Sequence, residues 1–183
     1  KLIKVKVYYD SQFEVAIKKL TLVHRNAPKL YTYEIVNTYP HDISSYTQGL
    51  EFYNGEIYES TGQYGESKLR KIDYKSGDVI SNIDLKSSYF GEGMSILNDK
   101  IYQLTWKEDR GLVYDVNKFE QIGTFKYGQS KEGWGLCNDG QQFYKSDGTE
   151  YIWVLNSSTI AEESYIQAYT NKGKLTNLNE LEW

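Results

Sequence analysis

The stretch Tyr89-Phe90-Gly91-Glu92-Gly93-Met94-Ser95-Ile96-Leu97-Asn98-Asp99-Lys100-Ile101-Tyr102-Gln103-Leu104-Thr105-Trp106 has degraded copies on either side. Leu50 to Gly62 precedes it and Leu136 to Gly148 follows it, with the equivalent tyrosines Tyr58, Tyr102 and Tyr144 separated by 44 and 42 residues. Repeats of that length, built of short strands and turn signals, are the mark of propeller blades. Each unit reads as a strand, a turn at Asn54-Gly55, Asn98-Asp99 or Asp139-Gly140, and a second strand. Asn-Gly and Asp-Gly suit hairpins because they tolerate positive φ. Third strands are expected at Lys68–Tyr74, Gly111–Asp115 and Tyr151–Leu155, and fourth strands at Val79–Ile83, Gln121–Phe125 and Tyr165–Tyr169. No stretch keeps a helical period, and Ile160–Ser164 is at best one helical turn.

Leu181-Glu182-Trp183 echoes Leu50-Glu51-Phe52 and opens a fourth unit. Closed propellers have about 4–8 blades. The expected fold is therefore all-β, a propeller present here as an incomplete chain of about three and a half blades. The expected domains are an accessory β segment or the tail of a preceding domain over 1–30, and the propeller over 31–183, lacking its C-terminal portion. Within the first segment, Leu2–Tyr9 and Phe13–Val23 read as strands, and Asn26-Ala27-Pro28 as a junction. Tyr31–Tyr39 reads as a further strand that ends at Pro40, placed where a propeller keeps the outer strand closing its last blade.

The 183 residues suffice for one sizeable core. A net charge of −4 with interspersed signs gives no footprint for nucleic acid or an anionic membrane. No apolar run reaches membrane-spanning length, and the alternating Lys1–Val7 reads as a strand whose leader, if one existed, is already lost. The single Cys137 allows no internal disulfide and, lying on an inner strand, reads as a small buried hydrophobe. His24, His41 and Asp42 lack ligand spacing, and no Ser-His-Asp set, phosphate loop or zinc motif is present. The 18 tyrosines, four tryptophans and six phenylalanines favour strands and lined pockets.

Superposing the units places Gln48, Glu92, Trp134 and Asn179, spaced by 44, 42 and 45, at the entrance to successive innermost strands. All four are expected around one mouth of the pseudo-axis. Two residues earlier stand Tyr46, Phe90, Glu132 and Asn177, and the far ends of the second strands carry Gly62, Trp106 and Gly148. One carboxylate, two amides and several aromatic faces suit a small substrate with an amine end and a carbonyl end. Glu92, expected in a tight turn between Gly91 and Gly93, is the first candidate catalyst. Burial beside Phe90, Trp106 and Trp134 would raise its pKa toward a value useful near neutrality; alternatively it only accepts amide hydrogens in a loop. Gln48 and Asn179 read either as donors to a developing oxyanion or as turn caps. Trp106 and Trp134 read either as pocket walls or as core.

Tyr46-Thr47-Gln48-Gly49-Leu50, Tyr58-Glu59-Ser60-Thr61-Gly62, Ser67-Lys68-Leu69-Arg70, Phe90-Gly91-Glu92-Gly93, Leu104-Thr105-Trp106, Gly133-Trp134-Gly135-Leu136, Ser146-Asp147-Gly148 and Asn179-Glu180-Leu181-Glu182-Trp183, in that order, resemble the plant-type glutaminyl cyclases and their bacterial relatives. The resemblance covers Tyr31 to Trp183. It implies a five-bladed propeller that converts the N-terminal glutamine of a peptide or protein to pyroglutamate with release of ammonia, without metal or other cofactor. By the same resemblance Glu92 shuttles the proton, Gln48 and Asn179 orient the γ-amide or hold its tetrahedral oxygen, and Phe90, Trp106 and Trp134 line the pocket. Tyr46 stands where the family commonly has phenylalanine. A tryptophan and a lysine that the family also uses would lie beyond Trp183, so the chain as given is expected to be inactive if it is truncated. A peptide substrate, a monomeric state and a periplasmic or extracellular location are the remaining expectations. The competing function is a non-catalytic propeller that binds a peptide N-terminus or a protein partner. A sugar hydrolase is less favoured, since it wants two carboxylates across the pocket and only Glu132 could be the second.

Overall fold

The computed structural model describes residues 1–23 and 25–183. His24 lies outside the described residues. Strands β1 (Leu2–Tyr9) and β2 (Gln12–Lys19) pair antiparallel as a separate two-stranded sheet. Three four-stranded antiparallel sheets follow, each in sequential order. The first holds β3 (Thr47–Tyr53), β4 (Glu56–Thr61), β5 (Lys68–Ile72) and β6 (Val79–Asp84). The second holds β7 (Gly91–Leu97), β8 (Lys100–Thr105), β9 (Arg110–Asp115) and β10 (Glu120–Lys126). The third holds β11 (Leu136–Asn138), β12 (Gln142–Ser146), β13 (Tyr151–Asn156) and β14 (Glu162–Gln167). Among the described residues there is no helix. The innermost strand β7 lies beside β3 on one side and β11 on the other, the arrangement of successive propeller blades.

The core is divided between the blades. Tyr58 and Leu69 of the first blade pack against Met94, Ile96 and Tyr114 of the second. Tyr102 and Leu104 of the second pack against Leu136, Phe143 and Trp153 of the third. A β face has period two, so a one-residue slip in any blade would turn these side chains to the wrong side. The tight turns hold two of the registers. Asn54 and Gly55 (φ 50° and 87°), and Asn98 and Asp99 (φ 52° and 57°), form two-residue links with both central residues left-handed.

Several sequence expectations are corrected. In the third blade the Asp139 N–H donates to the Gln142 carbonyl at 3.2 Å, so Gly140 and Gln141, not Asp139 and Gly140, occupy the turn centre. Only Gly140 there has positive φ, 86°, as a type II′ turn needs at its first central position. The last strand of that blade is Glu162–Gln167, not Tyr165–Tyr169, and it consumes most of the expected helical turn at Ile160–Ser164. Tyr169 instead bridges to Lys174. The strands expected at Phe13–Val23 and Lys68–Tyr74 stop at Lys19 and Ile72.

Tyr31–Tyr39 forms no strand. A strand needs a ladder partner, and Tyr33 and Val36, 90% and 83% exposed, have no neighbouring sheet to pack on. Leu181–Trp183 likewise carries no ladder, although Trp183 stacks on Tyr144 at 5.0 Å between ring centroids.

Candidate active site

Apart from Asn179, which precedes the unladdered Leu181–Trp183, each candidate side chain is delivered by the entrance to an innermost strand or by the exit of a second strand. Gln48 and Glu92 sit at register shifts, Thr47/Gly49 in β3 and Gly91/Met94 in β7. A bulge inserts an extra residue and re-aims its side chain, which turns both groups toward the blade axis. Glu92 is thus in a strand and not in a turn. Its flanking glycines serve close approach: a Cβ on Gly91 would stand 2.5 Å from the Thr61 carbonyl oxygen, and one on Gly93 2.5 Å from that of Trp134.

The same device recurs beside Gln48 and Trp134. A Cβ on Gly49 would meet the Met94 nitrogen at 2.6 Å, and one on Gly135 would collide with the Asn179 carbonyl oxygen. The inner strands therefore touch backbone to backbone, and the Gly93 N–H donates to the Trp134 carbonyl at 2.7 Å. Gly62 and Gly148 give similar room to rings, lying against Phe90 and Trp134.

An open cavity of about 290 Å3 results, lined by Tyr46, Gln48, Phe90, Glu92, Trp106, Trp134 and Asn179. The seven residues singled out from the sequence are brought together there. Asn177 of the outer register does not line the cavity; its N–H donates to the Gly148 carbonyl at 2.9 Å. Aromatic edges build the wall, with Phe90 to Trp106 at 5.6 Å and Tyr46 to Phe90 at 6.0 Å between ring centroids. Tyr64, not foreseen, extends that wall onto Phe90 at 5.4 Å and donates to Glu108.

Glu92 is 5% exposed and accepts a hydrogen bond from the Gln48 amide at 2.5 Å. Burial pushes its pKa up to about 8, Gln48 pulls it back, and the charges of Glu132 and Glu108 add to the rise. The Ser60 hydroxyl fixes the Glu92 backbone by donating to its carbonyl at 2.5 Å, and Ser146 does the same for Asn179 at 2.7 Å. Both serines are fully buried.

Glu132, the one candidate for a second hydrolytic carboxylate, does not line the cavity; its Oε2 accepts the indole N–H of Trp106 at 2.8 Å and of Trp134 at 2.9 Å. No position in the repeat pattern marks that role. His41 and Asp42 belong to a separate cluster, where His41 stands 2.9 Å from Glu59 and Asp42 accepts from Ser44 and Arg70. Cys137 is buried on β11, and burial pushes its thiol up to about 12. Among the described residues no group of three or more His, Cys, Asp or Glu side chains is placed to hold a metal ion.

The chemistry available is thus a proton-holding acid, one carboxamide bonded to it and a second on the cavity wall, and half-buried aromatic faces. Residues 10–183 match the family described as glutamine cyclotransferase. Over 177 residues the chain is 35% identical to a glutaminyl-peptide cyclotransferase of Arabidopsis thaliana, across 96% of this chain and 53% of that protein. Among solved structures, the glutaminyl cyclase of Myxococcus xanthus is similar with a TM-score of 0.72 at 28% identity, over 80% of this chain and 61% of that one. The Pan2 WD40 domain of Neurospora crassa, with a TM-score of 0.56 at 18% identity over 67% of this chain and 36% of that one, shares the fold alone. The chain spans about half the length of the curated relative it matches.

Proposed function

The chain belongs to the glutamine cyclotransferase family, and from that membership we propose that it supplies the acid, amide and aromatic groups of an enzyme that turns N-terminal glutamine into pyroglutamate, releasing ammonia. The observation that carries the reading is the Gln48 to Glu92 contact at the floor of an aromatic cavity. A scaffold propeller needs no carboxylate buried at its mouth, because desolvating one costs free energy that binding elsewhere does not recover.

The reaction joins the substrate's α-nitrogen to its own γ-carbonyl carbon. Ring closure is intramolecular, so holding the side chain folded between Phe90, Trp106 and Trp134 supplies a large part of the rate advantage. The attacking amine must be neutral, and its reference pKa of about 8 lies close to that of Glu92. Proton transfer between the two is then nearly balanced in free energy. Glu92 takes one proton from the attacking nitrogen and gives one to the departing NH2, which leaves as ammonia. Gln48 and Asn179 donate amide hydrogens to the oxygen of the tetrahedral intermediate. An exported, bacterial enzyme is the setting that the resemblance implies, and secretion of the whole protein from its native host tests it.

Incubating the whole protein with a glutaminyl peptide tests the activity. Ammonia release and a pyroglutamyl product, persisting with chelator present and lost in Glu92→Gln, support it. Ammonia release unchanged in Glu92→Gln rejects the role of Glu92, and peptide binding without product supports a binding module instead.

A further inference from the structure

We propose that Glu132 is a positioning residue, one carboxylate oxygen that fixes both tryptophan walls of the cavity and through them its shape. The proposal rests on the cyclase reading, because its consequence falls on binding of a glutaminyl N-terminus.

The two indoles come from different blades. Trp106 follows β8 in the second and Trp134 precedes β11 in the third, yet both N–H groups end on Glu132 Oε2, at 2.8 and 2.9 Å. Hydrogen bonds to an ionised acceptor are shorter and stronger than neutral ones. Sharing one acceptor also ties both ring planes to one oxygen, so any displacement of the Glu132 carboxylate disturbs both. Trp153 shows the uncoupled alternative, donating alone to Asp147 at 2.7 Å away from the cavity.

Glu132 stands on a built base. The Glu132 carbonyl accepts from Lys145 Nζ at 2.9 Å, and Lys145 is fully buried on β12. Just upstream, the Gln129 and Ser130 N–H groups both donate to Glu162 Oε2 of β14, at 2.5 and 3.0 Å. The segment that carries the clamp is therefore held from beneath by two strands of the third blade, as a preorganised site requires.

Reach and charge can be separated by two substitutions. Glu132→Asp keeps the charge but is one methylene too short to serve both indoles. Glu132→Gln keeps the length and an acceptor oxygen but removes the charge. In the 15N-labelled whole protein, Glu132→Asp is expected to move the indole N–H resonance of Trp106 or Trp134 and leave Trp153 in place. With a glutaminyl peptide, KM should rise about fivefold or more with kcat within about threefold of wild type. Glu132→Gln, a weaker acceptor of the same length, should shift both resonances by less than Glu132→Asp does and keep a KM within about twofold of wild type.

Unmoved indole signals in Glu132→Asp overturn the proposal, as do moved signals with an unchanged KM. So does Glu132→Gln raising KM as far as Glu132→Asp with both indoles in place, since charge and not reach would then be the cause. A wild-type protein that turns over no glutaminyl peptide sinks the cyclase reading alone, and the indole resonances still decide whether the clamp exists.

Discussion

The amide nitrogen of Gln48 lies 2.5 Å from Oε2 of Glu92, although the two residues are 44 positions apart and belong to neighbouring blades. The proton affinity of the acid is consequently set partly from outside its own blade. Burial raises it, the Gln48 hydrogen bond lowers it, and Glu132 and Glu108 raise it further. Each contribution can be removed separately.

Gln48→Leu removes the donor while keeping a side chain of similar size over the carboxyl. The Glu92 midpoint should then move above its value of about 8. Carbon-13 titration of the labelled glutamates in the absence of substrate measures it, and a midpoint that does not rise would show that the Gln48 hydrogen bond does not favour the ionised Glu92. Glu132→Gln, read in the same titration, should move the midpoint down.

Stability should carry the same signature. The folded pKa of Glu92 is raised from 4.5 to about 8, so its contribution is fully present below the unfolded pKa and is lost as pH rises through the folded one. Glu92→Gln carries no such titration. Relative to the variant, wild type should lose stability between about pH 4.5 and 8, on the order of 3 kcal/mol once solvent screening at the open cavity is allowed for. Urea unfolding at pH 5 and pH 9 gives the difference, and a gap that does not widen with pH rejects the raised pKa.

The blade period is legible in the sequence because it is written in residues that serve one purpose at every repeat. Tyr58 and Tyr102 recur in buried positions, and Asn54-Gly55 and Asn98-Asp99 recur where the chain must take positive φ. The shared mouth of Gln48, Glu92, Trp134 and Asn179 follows from that period alone. What the period does not carry is whatever depends on two blades at once. The bulges at Gln48 and Glu92 are mismatches between strands, and a single strand's sequence does not contain them. The part played by Glu132 exists only once Trp106 and Trp134 arrive from different sheets. Tyr31–Tyr39 has strand composition, but composition supplies no partner.

Gly93 tests the close approach of the blades. An alanine there would place its Cβ 2.5 Å from the Trp134 oxygen and 2.7 Å from Gly135 Cα, backbone atoms that cannot swing aside. Gly93→Ala should cost about 1–3 kcal/mol through overpacking and should lower turnover by displacing Trp134. Gly55→Ala meets nothing within 4 Å and strains only its own φ of +87°. It should cost about 1 kcal/mol and leave turnover unchanged. Urea midpoints and initial rates for the pair separate the two causes, and equal losses of turnover would mean that the glycines at the axis do not shape the mouth.

Ser60 and Ser146 occupy equivalent places two blades apart, and each donates its hydroxyl to the backbone carbonyl of a cavity residue outside its own sheet, Glu92 at 2.5 Å and Asn179 at 2.7 Å. Ser146 also accepts the Gly135 N–H at 2.8 Å, and Ser60 accepts from Gln103 at 2.7 Å. Ser60→Ala removes a buried donor from the Glu92 carbonyl and one of the two acceptors of the Gln103 amide, which keeps the Lys68 carbonyl at 3.3 Å, whereas Ser146→Ala strips the buried Gly135 N–H but frees an Asn179 carbonyl on an exposed residue that water can reach. Each should cost about 1–3 kcal/mol. The kinetic changes should differ, because the two carbonyls belong to residues with different proposed tasks. Ser60→Ala loosens Glu92, the proposed proton shuttle, and should lower kcat and shift its pH midpoint. Ser146→Ala loosens Asn179, the proposed donor to the tetrahedral oxygen, and should lower kcat without moving that midpoint. Full pH–rate profiles of both variants check the assignment, and a midpoint that shifts in Ser146→Ala but not in Ser60→Ala would reverse the roles given to Glu92 and Asn179.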